Sequence, residues 1–265
     1  MEQSEAKMPQ KVHEPWFDDK LALLLSKSCP RLEDLTESRA SRIVWLLEEL
    51  ELDFSLKVYH RVKGVLAPKE LLDVFPTGMS PVLQIFKEGA SEPLTLAESG
   101  HIVQYVIQHY DTKGKLTPES DADKEKVDYF LHFAEGSLQP HLVSMLVGQV
   151  ASQRAPWPTN YLVKGIMGKI NSEYYVKRLK TNLKFLDDTL QKKGGGFFVG
   201  DKLTGADIIL EFPVGQNIFG DEQRAKQLGL DVSPREAFPH LYEWSKLVAG
   251  EPLRKKAVAT EKANL

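Results

Sequence analysis

The chain has 265 residues, of which 42% are hydrophobic and 27% are charged, with a formal net charge of −3 at pH 7. This composition is typical of a soluble globular protein with one large or two modest domains, and its charge gives no case for nucleic-acid binding. Its only cysteine, Cys29, excludes an internal disulfide and a cysteine-rich metal site.

The sequence offers no membrane-spanning or secretory segment. Its apolar runs all fall short of the roughly 18 residues that cross a bilayer. The first 20 residues are polar, and the apolar run at 21–25 is too short for a signal peptide. We therefore expect a cytoplasmic protein and leave association with a membrane surface open.

The first clear element is a helix. Residues 11–37 are ambiguous, because Leu21–Leu25 suits either a strand or one turn of a buried helix. From Ser38 the pattern sharpens: Ser38 is a good N-cap residue, and apolar residues follow at helical spacing, namely Ile43, Leu46, Leu47 and Leu50.

Strands and helices then alternate until a helical second half begins. The patterns predict a strand at 54–59, a short helix at 68–74, hairpin strands at 81–86 and 94–96, a helix through 102–109, and a linker at 111–118. Long helical stretches at 121–150 and 161–190 and helices at 208–215 and 238–248 follow, with a charged tail from Arg254 that should fray. Thr204 and Asp207 have the spacing of a capping box. The order predicts an α+β fold in two parts.

Two features between residues 76 and 109 suit a small peptide ligand. Pro81 fits the first residue of a strand or a cis turn, and it keeps Ser80 extended, a geometry in which its backbone can pair with that of a ligand. Glu98 and Ser99 precede a helix, whose N-terminal amides favour an anion. Together these features suit the carboxylate and ammonium groups at the end of a peptide.

In combination, these segments resemble the glutathione transferase superfamily, and particularly the fungal enzymes typified by the yeast Gtt proteins. The matching segments are Ser38–Arg42, Trp45–Glu49, Gly78–Pro81, Ala97–Ser99, Glu135–Pro140 and Thr204–Asp207. The resemblance covers residues 36–210 and extends more loosely to Val248.

The resemblance implies a thioredoxin-like N-terminal domain that binds glutathione as co-substrate, followed by an all-α domain that supplies most of the electrophile pocket. It also implies a homodimer. We expect an extension with an irregular first strand at 1–37, the thioredoxin-like domain at 38–112 and the helical domain at 119–253. We expect no metal, because the seven histidines show no ligand spacing.

The resemblance also assigns binding roles. Pro81 would be a cis-proline, and the Ser80 backbone would pair with the cysteinyl part of glutathione. Glu98 and Ser99 would hold the γ-glutamyl end, while Ser99 would also serve as an ordinary helix cap. The glycine carboxylate would meet a basic residue after the second strand, and the sequence does not choose among His60, Arg61 and Lys63.

Ser38 is the candidate catalytic residue. Conjugation needs a thiolate, whereas a free thiol has a pKa of about 8.5. A hydroxyl that donates to the sulfur at a helix N-terminus would lower that pKa. An N-cap without a catalytic part is the equal alternative for Ser38, and Thr36 is the nearest other candidate. Arg39 and Arg42 would add positive potential.

Two further assignments have alternatives. Four residues of the first long helical stretch either line the electrophile pocket or belong to the core: Phe130, Phe133, His141 and Met145. Residues 14–33 depart from the family pattern, in which a strand such as Lys11–His13 runs directly into the catalytic turn. They are an insertion, an error of the gene model, or a region in which Leu21–Leu25 is the first strand and a long loop follows.

We expect a glutathione S-transferase that conjugates the glutathione thiolate to small electrophilic, mostly apolar compounds. One alternative is a pathway-specific glutathione transferase of fungal secondary metabolism. Another is a non-catalytic binding or regulatory protein with the same fold.

Overall fold

A computed structural model of the chain describes residues 20–27, 39–60, 68–87, 89–220, 222–230 and 232–263. Within these ranges the first part of the chain forms a four-stranded sheet with three helices, and the remainder is helical. Among the helices in these ranges, none is long and apolar enough to cross a membrane.

The first part has the thioredoxin-like arrangement. In chain order its elements are β1 (Lys20–Lys27), α1 (Ser41–Glu49), β2 (Phe54–His60), α2 (Glu70–Val74), β3 (Val82–Phe86), β4 (Leu94–Ala97) and α3 (Ser99–Tyr110). The strand order is β2-β1-β3-β4, in which β1 runs parallel to β2 and antiparallel to β3, and β3 and β4 form an antiparallel hairpin. The predicted strands, hairpin and α3 are confirmed.

The ambiguous run Leu21–Leu25 lies within strand β1. Leu24 pairs with Lys57 of β2 on one side and with Val82 of β3 on the other, so β1 occupies an interior position in the sheet. A near-continuous apolar sequence suits such a position. Within the described residues, Leu21–Leu25 belongs to the first strand, as one of the alternatives for this region has it. Lys11–His13 lies outside the described residues.

Helix α1 carries the predicted apolar stripe but begins later than predicted. Ile43, Leu46 and Leu47 are fully buried. The N-cap residue is Ala40, whose carbonyl accepts from the amides of Ile43 and Val44 at 2.9 and 3.1 Å. The prediction that the helix starts at Ser38 is therefore wrong, because Ser38 lies two residues before this cap. Capping preference alone does not fix the first turn within a Ser-Arg-Ala-Ser run.

The second part consists of nine helices within the described ranges. They are α4 (Asp121–Phe133), α5 (Gln139–Arg154), α6 (Thr159–Ile170), α7 (Val176–Lys193), α8 (Gly205–Leu210), α9 (Glu222–Gln227), α10 (Pro234–Ala237), α11 (Pro239–Gly250) and α12 (Pro252–Ala263). Three π-helical stretches, Ala134–Leu138, Asn171–Tyr175 and Glu211–Gly220, separate α4 from α5, separate α6 from α7, and follow α8. The two predicted long helices are thus each interrupted. The overall fold is the predicted α+β fold, a thioredoxin-like part followed by an all-α part.

The capping box at the start of α8 is part of the core. The fully buried carboxylate of Asp207 accepts from the backbone amide and the hydroxyl of Thr204, both at 3.0 Å. It also accepts from the amide of Phe198 at 2.8 Å and from the indole of Trp244 at 2.9 Å. Burial raises the pKa of Asp207, and these donors act in the opposite direction. The folding role expected for Thr204 and Asp207 agrees with these contacts.

The tail from Arg254 does not fray as predicted. Helix α12 packs on α1, with Arg254 and Ala257 buried. At its outer edge, Lys256 pairs with the Glu48 carboxylate at 2.6 Å, and the hydroxyl of Thr260 donates to the same side chain at 3.1 Å. The prediction failed because it weighed the charged composition of the tail and not the spacing of the residues that face α1.

Candidate functional site

The start of β3, the end of β4 and the start of α3 meet at one edge of the sheet. Val82 of β3 pairs with Ala97 of β4. Pro81 and Glu98 come just outside that pair, so both lie at the same edge of the sheet. Val82 also pairs with Leu24, which brings the carboxyl end of β1 to this edge. The sheet register therefore brings together the segments that carry the predicted binding residues.

The turn before β3 has the predicted form. The Ser80–Pro81 peptide bond is cis, Pro81 is buried and Ser80 is half-buried. Gly78 precedes them with φ +59°, and a Cβ at that position would lie 2.8 Å from the Leu72 side chain. A residue with a side chain would be strained in this backbone conformation and would press on Leu72. Gly78 is therefore required for the turn that presents Ser80 and Pro81.

The N-terminus of α3 differs from the prediction in its cap. The N-cap residue is Glu98, with φ 68° and ψ 115°, and its side chain makes no capping hydrogen bond. Ser99 is the first helical residue and is 3% exposed, so its expected role as the cap is wrong. Because the Glu98 side chain does not cap this end, the first-turn amides can bind an anion. Glu98, which is exposed, places a carboxylate beside them.

The positive φ of Glu98 is a strained backbone conformation for a residue with a side chain. Such conformations cost on the order of 1–3 kcal/mol and are commonly found where a site requires them. Sequence reasoning placed Glu98 in the site, although no sequence signal indicated its unusual backbone.

Arg42, in the first turn of α1, was expected to add positive potential at the site, but it makes structural contacts inside the protein. Its side chain is fully buried; Nη1 lies 2.7 Å from Oε1 of Glu135 and donates to the carbonyl of Ile209 at 2.9 Å. Burial lowers the pKa of the Arg42 guanidinium, and the Glu135 carboxylate opposes that shift. Arg42 therefore joins α1 to the helical part, and its charge is compensated by Glu135. Arg39 is half-buried beside it.

A second buried polar group at the start of α1 was not predicted. Nε2 of Gln216 donates to the hydroxyl of Ser41 at 3.2 Å and to both carboxylate oxygens of Glu211, at 3.1 and 2.9 Å. Ser41 is 2% exposed and Glu211 is 3% exposed. The only sequence signal for this group was Glu211, a single acidic residue within the apolar run Ile208–Val214. A charge in such a run needs a buried partner.

Several candidates are not placed. Ser38 and its alternative Thr36 lie outside the described residues, as do Arg61 and Lys63, and the side chain of His60 is not described. The catalytic role and the choice of a basic residue for the glycine carboxylate thus stay predictions. In the part of the chain that is described, no group of three or more histidine, cysteine or acidic side chains could hold a metal ion.

The four alternative pocket residues are mostly core. Phe130 and Met145 are each 4% exposed, and Phe133 packs against the core. The centre of the His141 ring lies 6.1 Å from that of Tyr174 and 5.9 Å from that of Tyr175. Burial, and to a smaller extent the charge of Arg178, lowers the pKa of His141. A surface hollow of about 340 Å³ between α4 and α7 is lined by Phe130 but by none of the other three.

Comparison with known proteins identifies the family. Two family profiles match the chain: "Glutathione S-transferase, N-terminal domain" over residues 38–109 and "Glutathione S-transferase, C-terminal domain" over residues 168–252. Glutathione S-transferase 1 of Saccharomyces cerevisiae is 34% identical over 86% of this chain and 93% of its own length. Glutathione S-transferase-like protein OpS6 of Beauveria bassiana is 26% identical over 84% and 90%.

A solved structure shows the same fold. Glutathione transferase URE2P6 of Phanerochaete chrysosporium, in complex with oxidized glutathione, has a TM-score of 0.67 and 22% identity over 94% of this chain and 99% of that chain. At this identity the likeness supports the fold alone. The profiles and the yeast relative establish more, and the chain therefore belongs to the glutathione S-transferase family.

Proposed function

We propose that this protein binds glutathione along Ser80, Pro81, Glu98 and Ser99 and transfers the glutathione thiol to small electrophilic, mostly apolar compounds. The observation that supports this best is the N-terminus of α3, which lies beside the start of β3 and whose N-cap residue, Glu98, makes no side-chain capping hydrogen bond. Its first-turn amides suit the carboxylate of the γ-glutamyl end, and the exposed Glu98 carboxylate suits the ammonium group. The backbone at Ser80 then pairs with the cysteinyl part.

We assign the activation of the thiol to Ser38. This residue precedes the N-cap of α1, Ala40, by two positions. A hydroxyl that donates to the sulfur favours the thiolate and lowers the thiol pKa. The thiol proton passes to solvent, the sulfur forms a bond to the electrophilic carbon, and the leaving group departs with its electron pair. In an addition to a carbon–carbon double bond no group leaves: the electron pair of the double bond moves to the neighbouring carbon, which accepts a proton.

Titration calorimetry with reduced glutathione, together with conjugation of 1-chloro-2,4-dinitrobenzene, tests both assignments. Ser99→Ala should weaken glutathione binding about tenfold, because the site is buried and polar. Ser38→Ala should lower kcat by at least about tenfold and raise the pKa of bound glutathione. Ser120→Ala is a matched control, since Ser120 caps α4. Failure to bind glutathione would end the proposal, and an unchanged rate in Ser38→Ala would remove Ser38 from it. Binding without turnover would support the non-catalytic alternative.

We also propose a homodimer, which follows from the family resemblance. Sedimentation equilibrium of the full chain should give twice the mass of one chain. A concentration-independent monomer would contradict this assignment without affecting the proposed chemistry.

A further inference from the structure

Glu135 lies between the starts of α1 and α3, the two helices whose N-termini we assign to glutathione. Its Oε1 is 2.7 Å from Nη1 of Arg42, in the first turn of α1. A Cβ at Gly100, in the first turn of α3, would lie 3.7 Å from Cγ of Glu135. A carboxylate from the helical part of the protein therefore lies against both helix starts, although the predicted site residues all come from the thioredoxin-like part.

The fold uses only one side of the Glu135 carboxylate. The Glu135 side chain is 22% exposed, whereas that of Arg42 is fully buried. Oε1, which faces Arg42, is itself buried, so the exposed part of the side chain lies on the Oε2 side. The guanidinium compensates the charge of the carboxylate, which allows it to stay ionised at a half-buried position. Oε2 is then the atom that a ligand can reach.

Two buried donors beside this carboxylate have no hydrogen-bond partner among the described residues. They are Nη2 of Arg42 and Nε2 of Gln139. Gln139 follows Glu135 by four residues, about one helical turn, and is 4% exposed. Native proteins seldom leave buried polar atoms unpaired, and each such atom calls for an explanation, of which a polar ligand is one. The junction of α1, α3 and Glu135 is therefore built for more polar contacts than the chain itself supplies.

The backbone that carries Glu135 departs from an ordinary α-helix. Ala134–Leu138 is π-helical, and the amide of Gln139 donates to the carbonyl of Ala134, five residues back. Single π-helical turns inside helices are rare and are frequently found at functional sites. This one interrupts a long helix at the residues that meet α1 and α3, which supports a role for Glu135 beyond packing.

We propose that Glu135 is a further glutathione-binding residue, whose Oε2 accepts a hydrogen bond from the ammonium group of the γ-glutamyl end. This inference rests on the proposed function, which places the carboxylate of that end on the first-turn amides of α3. The carboxylate and the ammonium group are bonded to the same carbon atom, so an acceptor beside Gly100 is within reach of the ammonium group. An ammonium group has three N–H donors and can therefore bind Glu135 and Glu98 together.

This contact makes bound glutathione a bridge between the two parts of the protein. Residues 80–99 hold the peptide from the thioredoxin-like part, and Glu135 holds it from the helical part. The hydrogen bond joins two charged groups and is therefore stronger than one between neutral groups. The competing explanation is that Glu135 serves only to compensate Arg42. In that case the loss of its charge acts through the position of α1 and affects every ligand of the site alike.

Titration calorimetry of the full chain with two ligands separates these explanations. One ligand is reduced glutathione, and the other is glutaryl-cysteinyl-glycine, which is glutathione with its α-amino group replaced by hydrogen. Glu135→Gln should weaken the binding of glutathione about tenfold, because the acceptor loses its charge. The same variant should bind the analogue within about twofold of the parent protein, since the analogue has no ammonium group to lose.

Two further variants complete the experiment. Glu135→Asp keeps a charge opposite Arg42 but withdraws the carboxylate by one methylene, so it should weaken glutathione binding about threefold and leave the analogue unaffected. Glu125→Gln, at an exposed position on α4, is the matched control and should change neither affinity. Urea unfolding shows whether each variant is folded under the conditions of the titration. If Glu135→Gln does not fold, Glu135→Asp carries the test.

Either of two results would overturn the proposal. Equal weakening of both ligands in the Glu135 variants would show that this residue acts only through Arg42 and α1. Unchanged affinity for glutathione would show that Glu135 makes no contact with the ammonium group. Both results leave the proposed function standing. A parent protein that does not bind glutathione is a different result, because it ends the proposed function and this inference with it.

Discussion

Nη2 of Arg254 donates to Oε1 of Glu211 at 2.7 Å, and the two side chains are only 6% and 4% exposed. The same carboxylate accepts from Gln216, which also donates to Ser41 in the first turn of α1. These contacts link α12, through the π-helical stretch after α8, to α1, the helix at whose N-terminus we place the glutathione thiol. The buried ion pair therefore helps to hold α1 in position.

Arg254→Met should destabilise the protein by about 3 kcal/mol, because it leaves the buried Glu211 carboxylate without its cation. Urea unfolding at neutral pH measures this as a lower midpoint with an unchanged slope. Lys255→Met, at an exposed position on the same helix, should change stability by less than about 0.5 kcal/mol.

The double variant Arg254→Met, Glu211→Gln should recover part of the loss, since it removes both charges of the pair. A single variant that costs less than about 1 kcal/mol, or a double variant whose cost is the full sum, would show that the pair does not stabilise the fold.

The sequence predicted β2, the β3–β4 hairpin and α3 because local signals determine them. Strand alternation marked β2, and the polar turn between two apolar runs marked the β3–β4 hairpin. The pairing of β1 with both β2 and β3 could not be predicted, since a short apolar run does not distinguish strand from helix. The π-helical breaks at Ala134–Leu138 and Asn171–Tyr175 had no sequence signal that we recognised.

The candidate site likewise has features that the sequence predicted and features that it did not. The Ser80–Pro81 turn and the helix start at Glu98–Ser99 are set by local sequence. The sequence therefore predicted where along the chain they occur. The buried contacts of Arg42 with Glu135 and of Ser41 with Gln216 join residues far apart in the sequence. Only the fold brings such residues together, so spacing in a single sequence could not reveal them.

Glu98→Gly should weaken glutathione binding without destabilising the protein. The replacement relieves a φ of 68°, which offsets the entropy cost of a glycine, so stability should be unchanged or higher by up to about 1 kcal/mol. Glutathione affinity should fall about tenfold, because the carboxylate beside the ammonium group is lost. Thermal unfolding and titration calorimetry measure the two effects.

Glu98→Gln is the matched variant for charge. It keeps the side chain and the strained backbone, so its stability should equal that of the parent while its affinity falls. If Glu98→Gly loses more than about 1 kcal/mol of stability, the positive φ is not a strain that glycine relieves.

Asp207→Asn should destabilise the protein by about 3 kcal/mol. The carboxylate accepts from three residues, Thr204, Phe198 and Trp244, and an amide offers one acceptor oxygen and directs an NH₂ group at the remaining donors. Asp201→Asn, at an exposed position, serves as the control and should change little. Equal effects of the two substitutions on the urea midpoint would contradict the role of Asp207.

Glu173, in the π-helical stretch before α7, should stay ionised far into acid. Hydrogen bonds from Lys177 and then Lys169 lower its pKa from 4.5 to about 2. Because the folded pKa lies below the unfolded one, this pairing contributes stability above the unfolded pKa and loses it as pH falls through the folded pKa. Carboxyl carbon chemical shifts from neutral pH down to about pH 3 should show no titration of Glu173, whereas an ordinary glutamate would titrate near 4.3. Lys169→Met with Lys177→Met should restore that ordinary midpoint, and an ordinary midpoint in the parent protein would show that neither lysine holds the carboxylate.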